Sequence, residues 1–475
     1  MRTLPLFGTG IKSFSSPVTA QRRLNCFYDI RQDGDKANII IRGTPGKSVW
    51  TTLSDNPIRG WWVVNSLLYV VAGATVFTVD TGANISVLGT VSNSGQLVGM
   101  TDDSISLTIV DGIQGYTVLL PSGVPTLISD VNFPNGCTSI ATLNSRSIAN
   151  VPNTRSFAIC GQLAASVWTP IITGVKENSS DLLVAVDVLN GMLILWGSTH
   201  IEFWQDNGTS PNPYGRINGA SQTWGLAAKY SRAPLVNTMA FLGQNPQGGV
   251  QVLMLNGYTP VRISTSDIED IFSGFSVYSD ATARTYMIDG HPMYQITFPS
   301  ASRSFLYDAS TQMWFETQFG VASVARDSGN LGIVFNSKNY ASDTTTAIIY
   351  QLDPNVFTDN GTTIKRQVVS RHIRMDGNDF SISDITLEME TGVGLDIGQG
   401  SDPQIMMQIS RDGGRTFGPE RWKSIGKKGQ YKGRVNWDRC GSARDFVFKF
   451  TMTDPVKFVI TSGEATVFPG TEAGR

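Results

Sequence analysis

The stretch 67-LLYVVAGATVFTVDTG-82 reads as two Val-rich strands hinged at Ala72-Gly73, and the chain repeats that unit. Later copies are 105-ISLTIVDGIQGYTVL-119, 148-IANVPNTRSFAICG-161, 192-MLILWGSTHIEFWQDNG-208 and 239-MAFLGQNPQGGVQVLMLNG-257. Two more follow, 287-MIDGHPMYQITF-298 running into 303-RSFLYDASTQMWFE-316, and 333-IVFNSKNYASDTTTAIIYQLD-353. From Leu67, Ile105, Ile148, Met192, Met239, Met287 and Ile333 the steps are about 38, 43, 44, 47, 48 and 46 residues. That is the roughly 40–50 residue period of propeller blades. One such unit is too small to bury its own apolar face, so the copies need a closed ring to share a core. The spacing predicts an all-β chain with a β-propeller of about seven blades, six if the divergent third copy is miscounted.

Composition agrees. Only 16% of the 475 residues are charged, against about 25% in a typical domain, and 48 glycines supply tight turns. A net charge of −2 gives no bulk attraction to nucleic acid or membrane. Four scattered cysteines (Cys26, Cys137, Cys160, Cys440) show no CxxC spacing and read as buried thiols of a reducing cytoplasm. His200, His291 and His372 do not pair at helical or hairpin spacing, so no histidine-built metal centre is expected, and no cofactor signature appears. The start, 4-LPLFGTGI-11, is too short and Gly-broken for a secretion signal. The uncharged run 61-WWVVNSLLYVVAGATVFTV-79 approaches membrane-span length. Its β-branched residues, with the breaks at Asn65-Ser66 and Gly73, suit short buried strands instead, so no stable membrane insertion is expected.

Three segments emerge. Residues 1–50 read as an N-terminal arm, whose strand candidate 37-ANIIIRGTPG-46 could close the ring. Residues 51–361 hold the repeats, with 209-TSPNPYGRINGASQTWGL-226 as a long polar loop suited to a partner. Residues 362–475 carry 17 Lys/Arg against 14 Asp/Glu, and alternation such as Phe446, Phe448, Phe450 predicts a separate β-sandwich. Helical periodicity is confined to 265-TSDIEDIFSGF-275.

Chemistry-bearing motifs are few. The run 410-SRDGGRTF-417 fits the Asp-box pattern, with Ser410, Asp412, Gly414, Thr416 and Phe417 in its positions. There the carboxylate is expected to gather backbone N–H groups across a turn, which is a structural role. Glycoside hydrolysis needs two carboxylates flanking one cleft, and Glu202, Asp206, Glu316, Glu388 and Glu390 show no pairing by spacing. Neither a G-x-S-x-G elbow nor a phosphate loop is present, and 392-GVGLDIGQG-400 reads as a hairpin loop. No catalytic residue is assigned. The one charge concentration, 421-RWKSIGKKGQYKGRVNWDRCGSARDFVFK-449, interleaves nine basic residues with Trp422, Tyr431 and Trp437. Lys423, Lys427, Lys428, Lys432, Arg434 and Arg439 are the candidate partner- or DNA-facing surface, against the plainer reading of a solvated loop.

The runs 189-LNGMLILWGSTHIEFWQDNG-208 and 219-GASQTWGLAAKYSRAPLVNTMAFLGQNPQGGVQVLMLNGYTPVRISTSDIE-269 resemble the tail hub (nozzle) proteins of short-tailed bacteriophages, often called packaged-DNA stabilization proteins. The likeness extends loosely to the C-terminal sandwich, through patterns and not through catalytic residues. It implies a non-enzymatic virion component of the viral tail, assembled in the host cytoplasm. In that family the subunits form a homohexameric ring below the portal adaptor protein. The ring continues the channel for packaged double-stranded DNA, holds the genome until ejection, and carries tailspikes or tail fibres and, in some relatives, a tail needle or plug. The alternative is a carbohydrate-binding or sialidase-like propeller, which would show several Asp-boxes where this chain has one.

Overall fold

A computed structural model describes residues 2–8, 10–11, 15, 19–30, 39–55, 57–375 and 378–469. Seven four-stranded blades follow the chain: 58–90, 99–127, 140–175, 183–216, 225–262, 282–317, and 329–353 with an N-terminal strand. The repeats read from sequence fall on the middle strands of blades one to five, because those strands are buried on both faces and carry the longest apolar runs. The membrane-length run becomes Ile58–Val64, Leu67–Ala72 and Thr75–Val79 of blade one. Among the described residues no helix is long and apolar enough to cross a membrane.

Each blade buries its faces against its neighbours, and hydrogen bonds stitch every junction. Going round, Trp62 Nε1 donates to Asp102 (2.8 Å), Thr101 to Thr142 (2.9 Å), and Ser139 Oγ to the Val186 carbonyl (3.1 Å). Arg232 then pairs with Asp187, Tyr294 Oη donates to the Ser231 carbonyl (2.8 Å), Arg284 pairs with Asp327 (2.6 Å), and Trp61 Nε1 reaches Gly332 (3.3 Å). The last of these joins blade seven to blade one. A ring closed this way has no long free edge at its centre.

The closing strand is Gly46–Thr52, which pairs antiparallel with Ile348–Asp353 as the outer strand of blade seven. It begins where the candidate 37–46 ends. Ile39–Gly43 pairs instead with Cys26–Ile30 and Val459–Pro469 in the sandwich, while residues 37 and 38 lie outside the described residues. A side chain at Gly46 would stand 2.4 Å from the Val356 and Thr358 carbonyl oxygens, so the crossing needs glycine.

The sandwich therefore borrows N-terminal strands. One sheet runs Cys26–Ile30, Ile39–Gly43, Val459–Pro469, Phe380–Met389, Val435–Ala443, with Arg2–Pro5 added on Val459–Pro469. The other runs Arg366–Val369, Val447–Met452, Gln404–Ser410, Arg421–Ser424. Between them lie Phe446, Phe448, Phe450 and Trp437, all buried. The 392–400 loop is not a hairpin, because it carries the chain from the first sheet to the second. Arg22–Leu24 links the second sheet to Met313–Thr317 of blade six, so one sheet of nine strands runs from propeller into sandwich.

The one α-helix among the described residues, Ser266–Ser273, follows blade five and buries Ile268 and Phe272. Part of the expected 209–226 loop is structural: Tyr214–Arg216 forms the outer strand of blade four, and Tyr214 Oη donates to the Leu143 carbonyl at 2.7 Å.

Candidate functional site

Blade five departs from the regular pattern, and its departure sends a turn across the ring toward blade two, three blades away. Its first strand comes in two pieces, Gly225–Leu226 and Ala233–Leu235, both paired to Thr238–Gln244. The turn between them, Lys229–Ser231, crosses the axis: Tyr230 Oη donates to the Leu97 carbonyl at the start of blade two (3.1 Å). Ser231 Oγ accepts the Leu242 N–H at 3.0 Å, and Arg232 holds Asp187 of blade four. Burial, and then the nearby Arg232 charge, push the Lys229 ammonium down to about 7. Nothing in 227-AAKYSR-232 announces a plug, since its partners lie in other blades.

The buried charge sits where the ring closes. Lys47 Nζ lies 2.9 Å from both Asp327 oxygens, 2.8 Å from Ser328 Oγ and 3.2 Å from Asp359. Lys47 and Arg284 hold the Asp327 carboxyl well below the usual range despite burial, whereas burial raises that of Asp359. A second clasp joins sandwich and propeller. Glu316 receives Arg22 at 3.0 and 2.7 Å and Arg303 at 3.0 Å. Sequence reading missed both clusters, because Lys47 and Arg22 lie hundreds of residues from the carboxylates they hold and no local spacing joins them.

The Asp-box residues form one turn in the 404–424 hairpin. Asp412 accepts from Ser410 Oγ (2.6 Å), from the Arg415 and Thr416 N–H groups (3.0 Å each) and from Thr416 Oγ1 (2.5 Å). Those bonds, Ser410 first and Thr416 next, pull its carboxyl well below the ordinary value although it is exposed. Gly414 has φ +83° and lies against Ala20, and Phe417 packs with Ala20, Val369 and Val447 under the Lys449 ammonium, 4.2 Å away. Every acceptor of the carboxylate faces its own turn, so the turn anchors the hairpin to the N-terminal segment.

Of the candidate carboxylates, Glu202 and Asp206 lie on blade four, Glu316 on blade six, and Glu388 and Glu390 by the first sandwich sheet. Glu202 is buried and accepts the Asn178 N–H (2.6 Å) and Trp204 Nε1 (3.1 Å), and Glu390 pairs with Lys457 (2.8 Å). They do not converge. His291 pairs with Asp308 and His372 with Asp445, both at 2.8 Å, and His200 Nδ1 sits 2.9 Å from Thr199 Oγ1. Among the described residues no three His, Cys, Asp or Glu side chains gather as metal ligands. All four cysteines are buried free thiols, and burial pushes those of Cys26 and Cys137 up to about 12.

The basic residues do share one side of the molecule. Arg421–Ser424 and Val435–Ala443 are edge strands of the two sandwich sheets, linked by Trp437 Nε1 to the Arg421 carbonyl (2.9 Å) and by Arg421 to the Asp438 carbonyl (2.5 Å). Lys423, Lys427, Lys428, Lys432, Arg434 and Arg439 are all exposed on these edges and the loop between them, beside exposed Trp422 and Tyr431. Trp437 is not part of that surface, being core. Lys428 pairs with Asp396 at 2.8 Å in open solvent, which leaves most of the patch charge free for a partner.

Two family models match the chain. One, described as Bacteriophage P22 Gp10, beta-propeller, covers residues 20–357, and the other, Bacteriophage P22 Gp10, beta-sandwich, covers residues 365–468. No curated protein matches. Solved structures are more distant. The extracellular domain of the hybrid two-component system BT4673 from B. thetaiotaomicron is 7% identical at TM-score 0.44, over 65% of this chain, which spans 39% of that one. The Pan2 WD40 domain of Neurospora crassa is 8% identical at TM-score 0.42, with 68% and 98% covered. A catalytically inactive virginiamycin B lyase from Staphylococcus aureus, with quinupristin, is 11% identical at TM-score 0.44, with 64% and 97% covered. Likeness at that level carries no argument, whereas the two family models span most of the chain in consecutive order. The chain belongs to the Bacteriophage P22 Gp10 family and is a structural protein of the virion tail.

Proposed function

We propose that this chain is the hub, or nozzle, subunit of a short phage tail. Copies form a ring, six by family likeness, beneath the portal and its adaptor protein. The ring continues the DNA channel, retains the packaged genome and gives tailspikes or fibres their seat, assembling in the host cytoplasm. The observation that carries this reading, beyond family membership, is the plugged axis. The Tyr230–Leu97 bond bars a duplex from the bore of a single propeller, so any channel has to lie between copies. A stitched wheel fused to a sandwich by one sheet is also stiff enough to bear pressure from packed DNA. The exposed basic edge at 423–439 is the surface offered to phosphate or to an acidic neighbour.

Cryo-electron microscopy of purified tails tests it. The expected map shows a sixfold collar with these propellers around a central pore and with sandwich density toward a neighbour. Density for this chain as isolated monomers, or away from the DNA path, would overturn the reading.

A further inference from the structure

We infer that two uncharged faces of the propeller, one on blades one and two and one between blades four and five, meet as the contact between neighbouring copies. The inference rests on the ring proposed above. In a chain with 16% charged residues, segments 81–101, 112–129 and 233–261 contain no Asp, Glu, Lys or Arg. Within the first two lie the outer strand of blade one, Ile85–Thr90, and the third and outer strands of blade two, Gly115–Leu119 and Thr126–Leu127.

The first face is an exposed strand edge. The strand Ile85–Thr90 is a free edge, paired only with Thr75–Val79, and carries neither charge nor proline. Such an edge invites pairing with another chain. Val87 and Leu119 are 62% exposed and Val124 65%, with Ile85 and Leu127 beside them. The two blades are contiguous there: a side chain on Gly89 would touch Pro125 at 2.8 Å. Exposed aliphatic side chains gathered without charge mark a protein-binding surface. They also exclude DNA, which needs Lys or Arg against its phosphates.

The second face is a recess. Leu189, Met192, Met254 and Val261 line a groove of about 410 Å³ between blades four and five, whose lining also includes Asn190, its Nδ2 donating to the Asn237 carbonyl at 3.2 Å. Val236 stands at its rim, 65% exposed, with φ +57°. The turn between first and second strands contains a positive-φ residue in every blade. Six of these turns use Asn65, Ser104, Asn144, Asn190, Asp289 and Asn336, all small and polar, and Asn and Asp are the types most often found in the left-handed region. Blade five alone places a β-branched residue there. A strained valine kept on the surface, where small polar residues serve the six sister turns and asparagine four of them, indicates selection for an apolar contact and not for folding.

The occupant we assign is a second copy of this chain. Uncharged edge and uncharged recess match in chemistry, and both occur on each copy, three blades apart. Joining unlike patches leaves one of each free, so the contact runs head to tail and closes into a ring at a single rotation angle.

Mass photometry of the full chain, at a concentration where the wild type forms rings, tests the assignment. Val236→Asn installs the turn residue used by four of the other blades. It is expected to melt no lower than wild type while ring abundance falls at least tenfold. Val87→Asp breaks the exposed edge, and mixing the two variants is expected to give dimers joined by their one intact pair of faces. A Val87→Cys, Val236→Cys double variant is expected to cross-link into multimers on oxidation, since the four native thiols are buried. Rings formed undiminished by both single variants, or double-variant rings without cross-links, would overturn the assigned faces and leave the hub reading standing. A wild type that stays monomeric both in solution and in purified tails would remove both.

Discussion

Lys47 Nζ and Asp327 Oδ1 stand 2.9 Å apart across 280 residues of chain, at the point where the last blade is finished by the first part of the sequence. The ammonium is buried and also holds Asp359, while Arg284 supports Asp327 from blade six. Replacing Lys47 takes the cation from buried Asp359 and leaves Asp327 with Arg284 alone. Lys47→Ala is expected to lower stability by about 3–5 kcal/mol. Thermal unfolding followed by near-ultraviolet circular dichroism measures it, and an unchanged midpoint would show that closure does not depend on this pair.

The Arg22–Glu316 clasp makes a gentler prediction, because Arg22 keeps some solvent contact. Glu316→Gln is expected to weaken the junction by about 1–2 kcal/mol after allowing for screening. The expected sign is faster proteolysis around residues 354–365, between blade seven and the sandwich, with the blades themselves still protected.

Lys229 sets a pH dependence. Its folded value of about 7 lies below the roughly 10.4 of an unfolded lysine. Between those limits the unfolded chain binds more protons than the folded one, so stability rises with pH across that window. Below pH 7 both states are protonated and the contribution is flat. In Lys229→Met the rise between pH 7 and 10 should shrink. Denaturant titrations at pH 7 and 9 on both proteins check this.

Charge reversal at Lys427, Lys428 and Lys432 addresses the sandwich edge. All three are exposed, so the triple Glu variant should fold within about 0.5 kcal/mol of wild type. Its binding to duplex DNA or to tail partners should weaken, more so at low salt. Genome retention and tail assembly equal to wild type would return the loop to a solvated role.

The propeller was legible in sequence because its middle strands combine two-sided burial with turn residues such as Asn65-Ser66 and Asn190-Gly191, which are local signals. The Asp-box was legible for the same reason, as its donors and acceptors sit within seven residues. The N-terminal sandwich strands were not. Cys26–Ile30 reads like any short apolar run, and the Val459–Pro469 strand that completes its sheet lies more than 400 residues on. The plug stayed hidden because Ala233–Leu235 looks like an ordinary strand start, and only the ring places Tyr230 opposite Leu97. Trp437, grouped by sequence with the exposed aromatics, went inward because alternation along Val435–Ala443 points it at Phe450.

The nine strands shared by blade six and the sandwich leave no swivel between the two modules. Tugging on the sandwich would therefore tip the entire wheel with it. Force applied to one module would reach the other as a change of subunit attitude, with each body keeping its shape.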